Sequence, residues 1–338
     1  MASPRVLILY NEPVLPVHHP DSASEREVLE TVDFVNKCLA EAGFEISCLG
    51  TSYDVHALLS GLRERRPHVV FNLFEGTADD GNNEAYVAGL LEWLSIPFTG
   101  CPFQALCLAR NKPLAKTLFH GAGLPTAEFV VVDELPVAEL KLPWPVIVKP
   151  AAQDASVGLD HGSVVSDEAK LNERVSYLLK NYGPPVLVEQ YIDGREFNVA
   201  VIEAPELRVL PISEVLFVGM APGSWPIVTY DAKWKPGSLD FEATPPRYPA
   251  DISRSLAESL ESMAGRAFRL LGCRDYARVD FRVPPSGEPY LLEVNPNPDF
   301  HPTAGFEKGL ASAGITHEEF TVTLVRGALA RAALRREV

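Results

Sequence analysis

"DYARVDFRVPPSGEPYLLEVNP", residues 275–296, alternates strictly in its first half and then turns back. Arg278, Asp280 and Arg282 fall on one face, and Val279, Phe281 and Val283 on the other, the period of a half-buried strand. "PPSGEP" reads as a turn, and "YLLEVN" resumes a strand on which Leu291, Glu293 and Asn295 share a face. Centring the turn on Ser286–Gly287 sets Asp280 opposite Glu293 and Arg278 opposite Asn295, with Cβ atoms about 5 Å apart. Two carboxylates that close repel, and one protonates unless a cation lies between them. Oxygen donors with room for water suit magnesium, which is usually held by one or two carboxylates plus substrate phosphates. The alternative is a surface hairpin whose acids pair with Arg278 and Arg282.

A magnesium held in this way needs phosphates, so anion ligands are sought elsewhere in the chain. "VIVKP" ends a buried strand in Lys149, a costly place for an ammonium unless an anion meets it. Seven residues on, "DASVG" offers Ser156 and Gly158 in a loop whose N–H groups can wrap phosphate oxygens. It is not the phosphate-loop consensus of nucleoside triphosphatases. Lys112, in "ARNKPLAK", reads by itself as a solvated helix lysine. "VLVEQYIDGREF" adds Glu189 at a strand end and Glu196 after a turn. These acids can accept from an adenine amino group and ribose hydroxyls, or can simply be solvated.

The rest of the chain sets the bounds. Its 338 residues are 46% hydrophobic and 22% charged, too long for one ordinary core, so two or three domains are expected. A formal charge of −15, with no basic stripe, argues against nucleic-acid binding. The opening "MASPRVLILYNEP" carries an apolar run far shorter than a signal peptide's core or a membrane span, so no membrane association is expected. Five cysteines, odd in number and without a CxxC pair, fit reduced core thiols and a cytoplasmic protein.

Up to about residue 95, strands ("RVLILY", "FEISCLG", "HVVFNLF") alternate with helical periods at 24–42, 54–65 and 83–94, predicting a parallel sheet covered on both faces. "IPFTGCP" punctuates the chain near residue 100. Beyond it come a helical segment at Lys112, a strand–loop–strand over "WPVIVKPAAQDASVGLDHGSVV", and a helix near 167–180. Two strands then flank Asp193–Gly194, a hairpin signal. Residues 219–247 have no period and read as one long loop, which in a compact domain is more often functional than idle. An Ala- and Arg-rich helix closes the chain over 315–336.

Taken together, "SASEREV", "IPFTG", "NKPLAKTLFHGAGLPTAEF", "VIVKP…SVG", "VLVEQYIDGREFNVAV", "YDAKW", "ARVDF" and "LLEVNPNP" resemble, in order, the motifs of the ATP-grasp superfamily. Within it the chain resembles the D-alanine–D-alanine ligase-like carboxylate–amine ligases. The resemblance implies a mixed α/β and α+β architecture: an N-terminal parallel-sheet domain over 1–102 and two α+β subdomains, 103–188 and 189–338, that clamp ATP between them.

It also implies roles by position. Lys112 and Lys149 match the lysines on the α- and β-phosphates, and Ser156 to Gly158 the mobile loop that covers them. Glu189 matches the adenine-amino acceptor, Tyr191 and Ile192 the hinge backbone, and Glu196 the ribose-binding acid. Lys233 stands where the family has a lysine near the γ-phosphate. Asp280, Glu293 and Asn295 match the ligands of two Mg²⁺ ions, for which Mn²⁺ can substitute. Arg278 matches the arginine on the transferred phosphoryl group, and Glu25 the acid that holds the first substrate's amino group. The implied partners are a small-molecule carboxylate and a small-molecule amine, and a homodimer is compatible with the family.

Four departures bear on the substrate. Asp299 follows the acidic strand where the family has a short Pro-Gly turn. Ala304 replaces a Ser whose hydroxyl binds the second substrate's carboxylate. Phe74 stands in place of a His after the third strand, and Ala155 in place of a Ser in the loop. They point to an ATP-dependent ligase acting on amino-acid or peptide-like substrates other than D-alanine. The alternatives are a true D-alanine–D-alanine ligase and a nucleotide-binding protein without catalysis.

Overall fold

The structure, a computed structural model, describes residues 3–13, 22–76, 81–137, 139–153, 156–203 and 206–336, with the backbone alone at 22–26, 335 and 336. The chain begins with the expected alternation: β1 (Arg5–Asn11), α1 (Ser22–Glu41), β2 (Glu45–Thr51), α2 (Val55–Arg65), β3 (Val69–Leu73) and α3 (Asn83–Trp93). The strands run parallel in the order β2-β1-β3. Residues 6–9 and 69–71 are fully buried, as the unbroken apolar runs of a doubly covered sheet require.

Two helices follow, α4 (Phe103–Arg110), which no period in the sequence announces, and α5 (Lys112–Gly121). Asn111 starts α5: its side chain accepts from the Leu114 N–H at 3.1 Å, and Pro113 occupies the first turn, where a missing N–H is harmless. Lys112 is thereby fixed at a helix N-terminus rather than left on a solvated face.

A second sheet holds β4 (Phe129–Val132), β5 (Val146–Pro150), β6 (Val164–Val165) and β7 (Val186–Gln190) in the antiparallel order β4-β7-β5-β6, backed by α6 (Glu168–Tyr182). The third is built on β8 (Arg195–Glu203), with β9 (Leu207–Val209), β10 (Ser213–Val215), α7 (Tyr230–Trp234), α8 (Leu239–Ala243), β11 (Pro246–Arg247), α9 (Arg254–Leu271), β12 (Tyr276–Val283), β13 (Tyr290–Pro296), α10 (Gly305–Ser312) and α11 (His317–Arg336) following in turn. Its order is β11-β10-β8-β12-β13, with β9 beside β8.

Three expectations are corrected. The strands flanking Asp193–Gly194 do not form a hairpin: β7 belongs to the second sheet and β8 to the third. Gly194 is needed for a close approach, since a Cβ there would lie 2.2 Å from the Val283 carbonyl oxygen. Residues 219–247 are not one loop but carry α7 and α8, capped by Thr229 and Ser238, and the edge strand β11. These helices are five residues each, too short to show a period.

The third correction lies within the acidic hairpin. Asp280 pairs with Glu293 and Arg278 with Asn295 as the turn centre requires, but the register shifts beyond Asp280, so that Phe281 faces Leu291. A bulge at Leu292 sends Leu291 to the buried apolar side with Phe281, not to the face of Glu293, and turns Leu292 toward a cavity.

Candidate functional site

The polar face of β12 meets that of β8 in register, Asp280 against Asn198 and Arg282 against Glu196. The opposite face of both strands is apolar: Val279, Phe281, Phe197 and Val199 are fully buried. Period-2 patterning therefore gathers the charge on one side of the sheet.

Asp280 accepts from Arg278 Nε at 2.8 Å and Nη2 at 2.9 Å, from Asn198 Nδ2 at 2.7 Å and from Asn295 Nδ2 at 3.0 Å. Glu293 lies 3.1 Å from the Lys112 ammonium and 3.5 Å from Asn295 Nδ2. Burial by itself would raise the Glu293 pKa, but the charges of Lys112, Lys149 and Lys233 outweigh it and hold the carboxyl well below its usual range. The expected trio is thus brought together, with arginine and lysine neutralising its acids. Among the described residues no group of three or more His, Cys, Asp or Glu could hold a metal. Two opposed carboxylates joined by an amide nonetheless fit Mg²⁺, which leaves its other positions to water and phosphate. The donor set has only oxygen to offer once the Asn295 amide is turned.

The phosphate side is more connected than expected. Lys149 Nζ lies 2.7 Å from Glu189 Oε1, and Lys116 Nζ lies 3.2 Å from Glu189 Oε2. Lys116 also donates to Thr126 Oγ1 at 2.6 Å, and Thr126 in turn to the Leu291 carbonyl at 2.6 Å. Burial pushes the Lys116 pKa down. Against the same burial, the two ammonium groups hold the Glu189 carboxyl below its ordinary value. Lys116 was not anticipated, although its signal was available: it follows Lys112 by one helical turn and so shares its face.

The loop after Lys149 turns through left-handed residues, Ser156 at φ 61° and Gly158 at φ 76°. A Cβ on Gly158 would meet Pro150 Cγ at 2.8 Å. Arg174 braces the loop, donating to the Gly158 carbonyl at 2.6 Å and to Asp160 at 2.8 Å. Ser156 Oγ donates to the Val228 carbonyl at 3.0 Å, and the Tyr230 N–H to the Leu159 carbonyl at 3.0 Å. The loop is thereby joined to the α7–α8 segment. Ala155 lies outside the described residues.

At the far end, Tyr191 and Ile192 are buried, and Tyr191 Oη donates to the Pro226 carbonyl at 3.2 Å. Glu196 lies 2.7 Å from Arg282, whose guanidinium stacks 5.0 Å from the Phe217 ring centroid. Burial, with Asp280 nearby, raises the Glu196 pKa even against this arginine. Lys112, Lys149, Ser156, Glu189, Tyr191, Ile192, Glu196, Lys233, Arg278, Asp280, Arg282 and Glu293 line one cavity of about 440 Å³, whereas Asn295 and Lys116 do not.

A second cavity, about 1040 Å³, lies on the other side of Lys233, Arg278 and Gly305, which line both. Asn295 and Asp299 open into it. Asp299 does not cap the following helix: it accepts from the His301 N–H at 2.8 Å, and Ala304, at the cap position before α10, makes no side-chain cap. Phe74 is not in the cavity but in the core, 2% exposed, and the next residue, Glu75, faces the space instead. Glu25 belongs to α1, but its side chain lies outside the described residues, whereas Glu27 and Glu30 of the same helix line the cavity. Ala304→Ser is expected to supply the missing cap and raise stability by about 1 kcal/mol, read from the denaturant midpoint.

A family model described as "D-ala D-ala ligase C-terminus" matches residues 118–326. The D-alanine–D-alanine ligase of Synechococcus sp. (strain JA-3-3Ab) is 31% identical to the chain over 93% of each sequence. The uncharacterized protein y4sG of Sinorhizobium fredii is 33% identical over 78% of this chain and 74% of its own length. The crystal structure of the D-alanine–D-alanine ligase from Bacillus anthracis complexed with ATP shares the fold, with a TM-score of 0.75 and 18% identity, over 98% of this chain and all of the other.

Proposed function

The chain belongs to the ATP-grasp, D-alanine–D-alanine ligase-like family of ATP-dependent, ADP-forming C–N ligases, and we propose that it joins a carboxylate to an amine other than D-alanine. The observation that carries the reading is the convergence of Lys112, Lys149, Arg278, Asp280 and Glu293 on one cavity that backs onto a second across Arg278 and Lys233. ATP fits the first cavity and the reacting carboxylate the second, with the γ-phosphate at the wall between them. On this reading residues 1–102, 103–188 and 189–338 are the three domains, and the chain works in the cytoplasm on small molecules.

A carboxylate is a poor acyl donor; phosphorylating it gives an acyl phosphate from which an amine displaces phosphate. Lys112 and Lys149 bind the α- and β-phosphates. This requires that they leave Glu293 and Glu189, their partners in the structure. Glu189, freed of Lys149, accepts from the adenine amino group, and Glu196 from the ribose. Tyr191 and Ile192 supply backbone beside the base. Mg²⁺ between Asp280, Glu293 and Asn295 would neutralise phosphate charge during transfer. Arg278, held by Asp280, stabilises the transferred phosphoryl group on this reading, and burial beside Arg278 lowers the Lys233 pKa. The Ser156 loop and the α7–α8 segment exclude water, which would hydrolyse the acyl phosphate.

The names of the relatives favour a second reading, D-alanine as both substrates. Phosphate release measured with D-alanine and with a panel of other amino acids and peptides separates the two. Lys149→Met tests the ATP site. It is expected to weaken ATP binding by about 2 kcal/mol, roughly thirtyfold, by calorimetry. Unchanged affinity would make Lys149 a structural partner of Glu189 and nothing more.

A further inference from the structure

Among the described residues the second cavity is walled by five carboxylates, Glu27, Glu30, Glu75, Glu84 and Asp299, against three cations, Arg110, Lys233 and Arg278. One of these acids is matched by a cation and two more share a histidine. Arg110 lies 3.6 Å from Glu84, Arg278 is bound to Asp280, Lys233 feels the charges of Glu293, Asp280 and Glu196 rather than these acids, and Glu27 and Glu30 face only the His301 ring, a cation only when protonated, at 3.7 and 3.3 Å. Two carboxylates are left with no basic partner of any kind among the described residues. Among the described residues Glu75 has no hydrogen bond or ion pair, and Asp299 accepts only the His301 N–H, through Oδ1. They approach from different elements, Glu75 just beyond the end of β3 and Asp299 beyond β13, into the space beside Lys233 and Arg278.

That space is at the upper end of what small-molecule sites occupy, far more than a pair of alanines fills. Unmatched acids on its wall penalise anionic occupants and reward cationic ones, and this is how polar sites discriminate most strongly. We infer that the second cavity selects a substrate bearing a positive charge besides its reacting groups, an amino acid or peptide with an ammonium or guanidinium side chain, which Glu75 and Asp299 receive. The inference rests on the ligase reading only in taking this cavity as the substrate site.

A proton accompanies such binding. Desolvation at the cavity wall, and then the charges of Asp299, Glu84 and Glu27, raise the Glu75 carboxyl toward about 8 although the side chain is open to the cavity, so part of it holds a proton at pH 7. The only cation facing this group of acids from α4 is Arg110, which lies on Glu84. An arriving ammonium favours the ionised form and lowers that pKa, so the proton leaves.

The test compares lysine with norleucine, its neutral counterpart, as both D and L enantiomers, so that the shared α-amino and α-carboxylate groups cancel. Binding to the full chain loaded with Mg²⁺ and a non-hydrolysable ATP analogue is followed by calorimetry in buffers of different ionisation enthalpy. ADP release with ATP is measured in parallel. Lysine of one enantiomer is expected to bind about a hundredfold more tightly than norleucine and to release a proton at pH 7. Glu75→Gln should cut the ratio below about tenfold and abolish the proton release, and Asp299→Asn should lower the ratio independently. Equal binding of the two, no binding of either, or a preference that survives both substitutions overturns the inference. Selective lysine binding without ADP release under any condition would leave the inference standing and remove the ligase reading. ADP release with neutral substrates and no preference would do the opposite.

Discussion

Glu293→Gln is expected to lower ADP formation by about a thousandfold or more in a protein that still folds, the loss that several kcal/mol of charge stabilisation corresponds to. The substitution keeps the shape of the side chain and removes one of the two carboxylates facing across the hairpin. Glu293 is partly open to the cavity, and its ion-pair partner Lys112 has a helix N-terminus for support and ATP phosphate as its alternative ligand. The matching change at its neighbour is a poorer test. Asp280 accepts four hydrogen bonds, two from Arg278 and one each from Asn198 and Asn295. An amide nitrogen introduced there faces donors, and the part-buried Arg278 loses its partner, at somewhat less than the about 3–5 kcal/mol of a fully buried pair. Asp280→Asn should therefore lower the thermal midpoint as well as activity, whereas Glu293→Gln should leave the midpoint within a few degrees. Near-normal kcat in folded Glu293→Gln protein would remove this residue from the metal site.

The contrast between these two acids shows what the sequence could tell and what it could not. Their opposition across the strands was legible because an antiparallel pair reflects about its turn, and Ser286–Gly287 marks the turn. The bulge at Leu292 was not legible. An extra residue in a stretch as apolar as "YLLEV" leaves no break in pattern, yet it exchanges the faces of Leu291 and Leu292. Asp193–Gly194 misled for a related reason: a glycine needed for close approach to Val283 looks the same as one needed for a tight turn. The hydrogen bonds that occupy Lys149, Glu189 and Glu196 were invisible because they join segments far apart in the chain. Glu75 was missed by one position. The end of β3 carries Phe74 into the core and its successor into the cavity, a choice the apolar run before it does not reveal.

With D-alanine supplied as both substrates, kcat/KM is expected to be about a thousandfold below that with the preferred acceptor. An alanine acceptor brings a carboxylate close to its reacting amine and has no side chain with which to offset it. In the second cavity that carboxylate meets Asp299, with which no described cation pairs. A like charge at about 4 Å costs roughly 4 kcal/mol at an effective dielectric near 20, before screening, and that is about a thousandfold in rate. Relief from Arg278 is limited because Nε and Nη2 of its guanidinium already donate to Asp280. A serine at position 304 would have offered a hydroxyl at the start of α10, but alanine has none to give. Asp299→Gly should therefore raise the rate with D-alanine while lowering it with a cationic acceptor, and added salt should narrow the difference, since an open cavity is screened. Phosphate release at several salt concentrations reads all of these quantities. Efficient D-alanine dimerisation by the unmodified chain would mean that Asp299 does not face the acceptor and that the acids of this cavity serve the protein rather than its substrate.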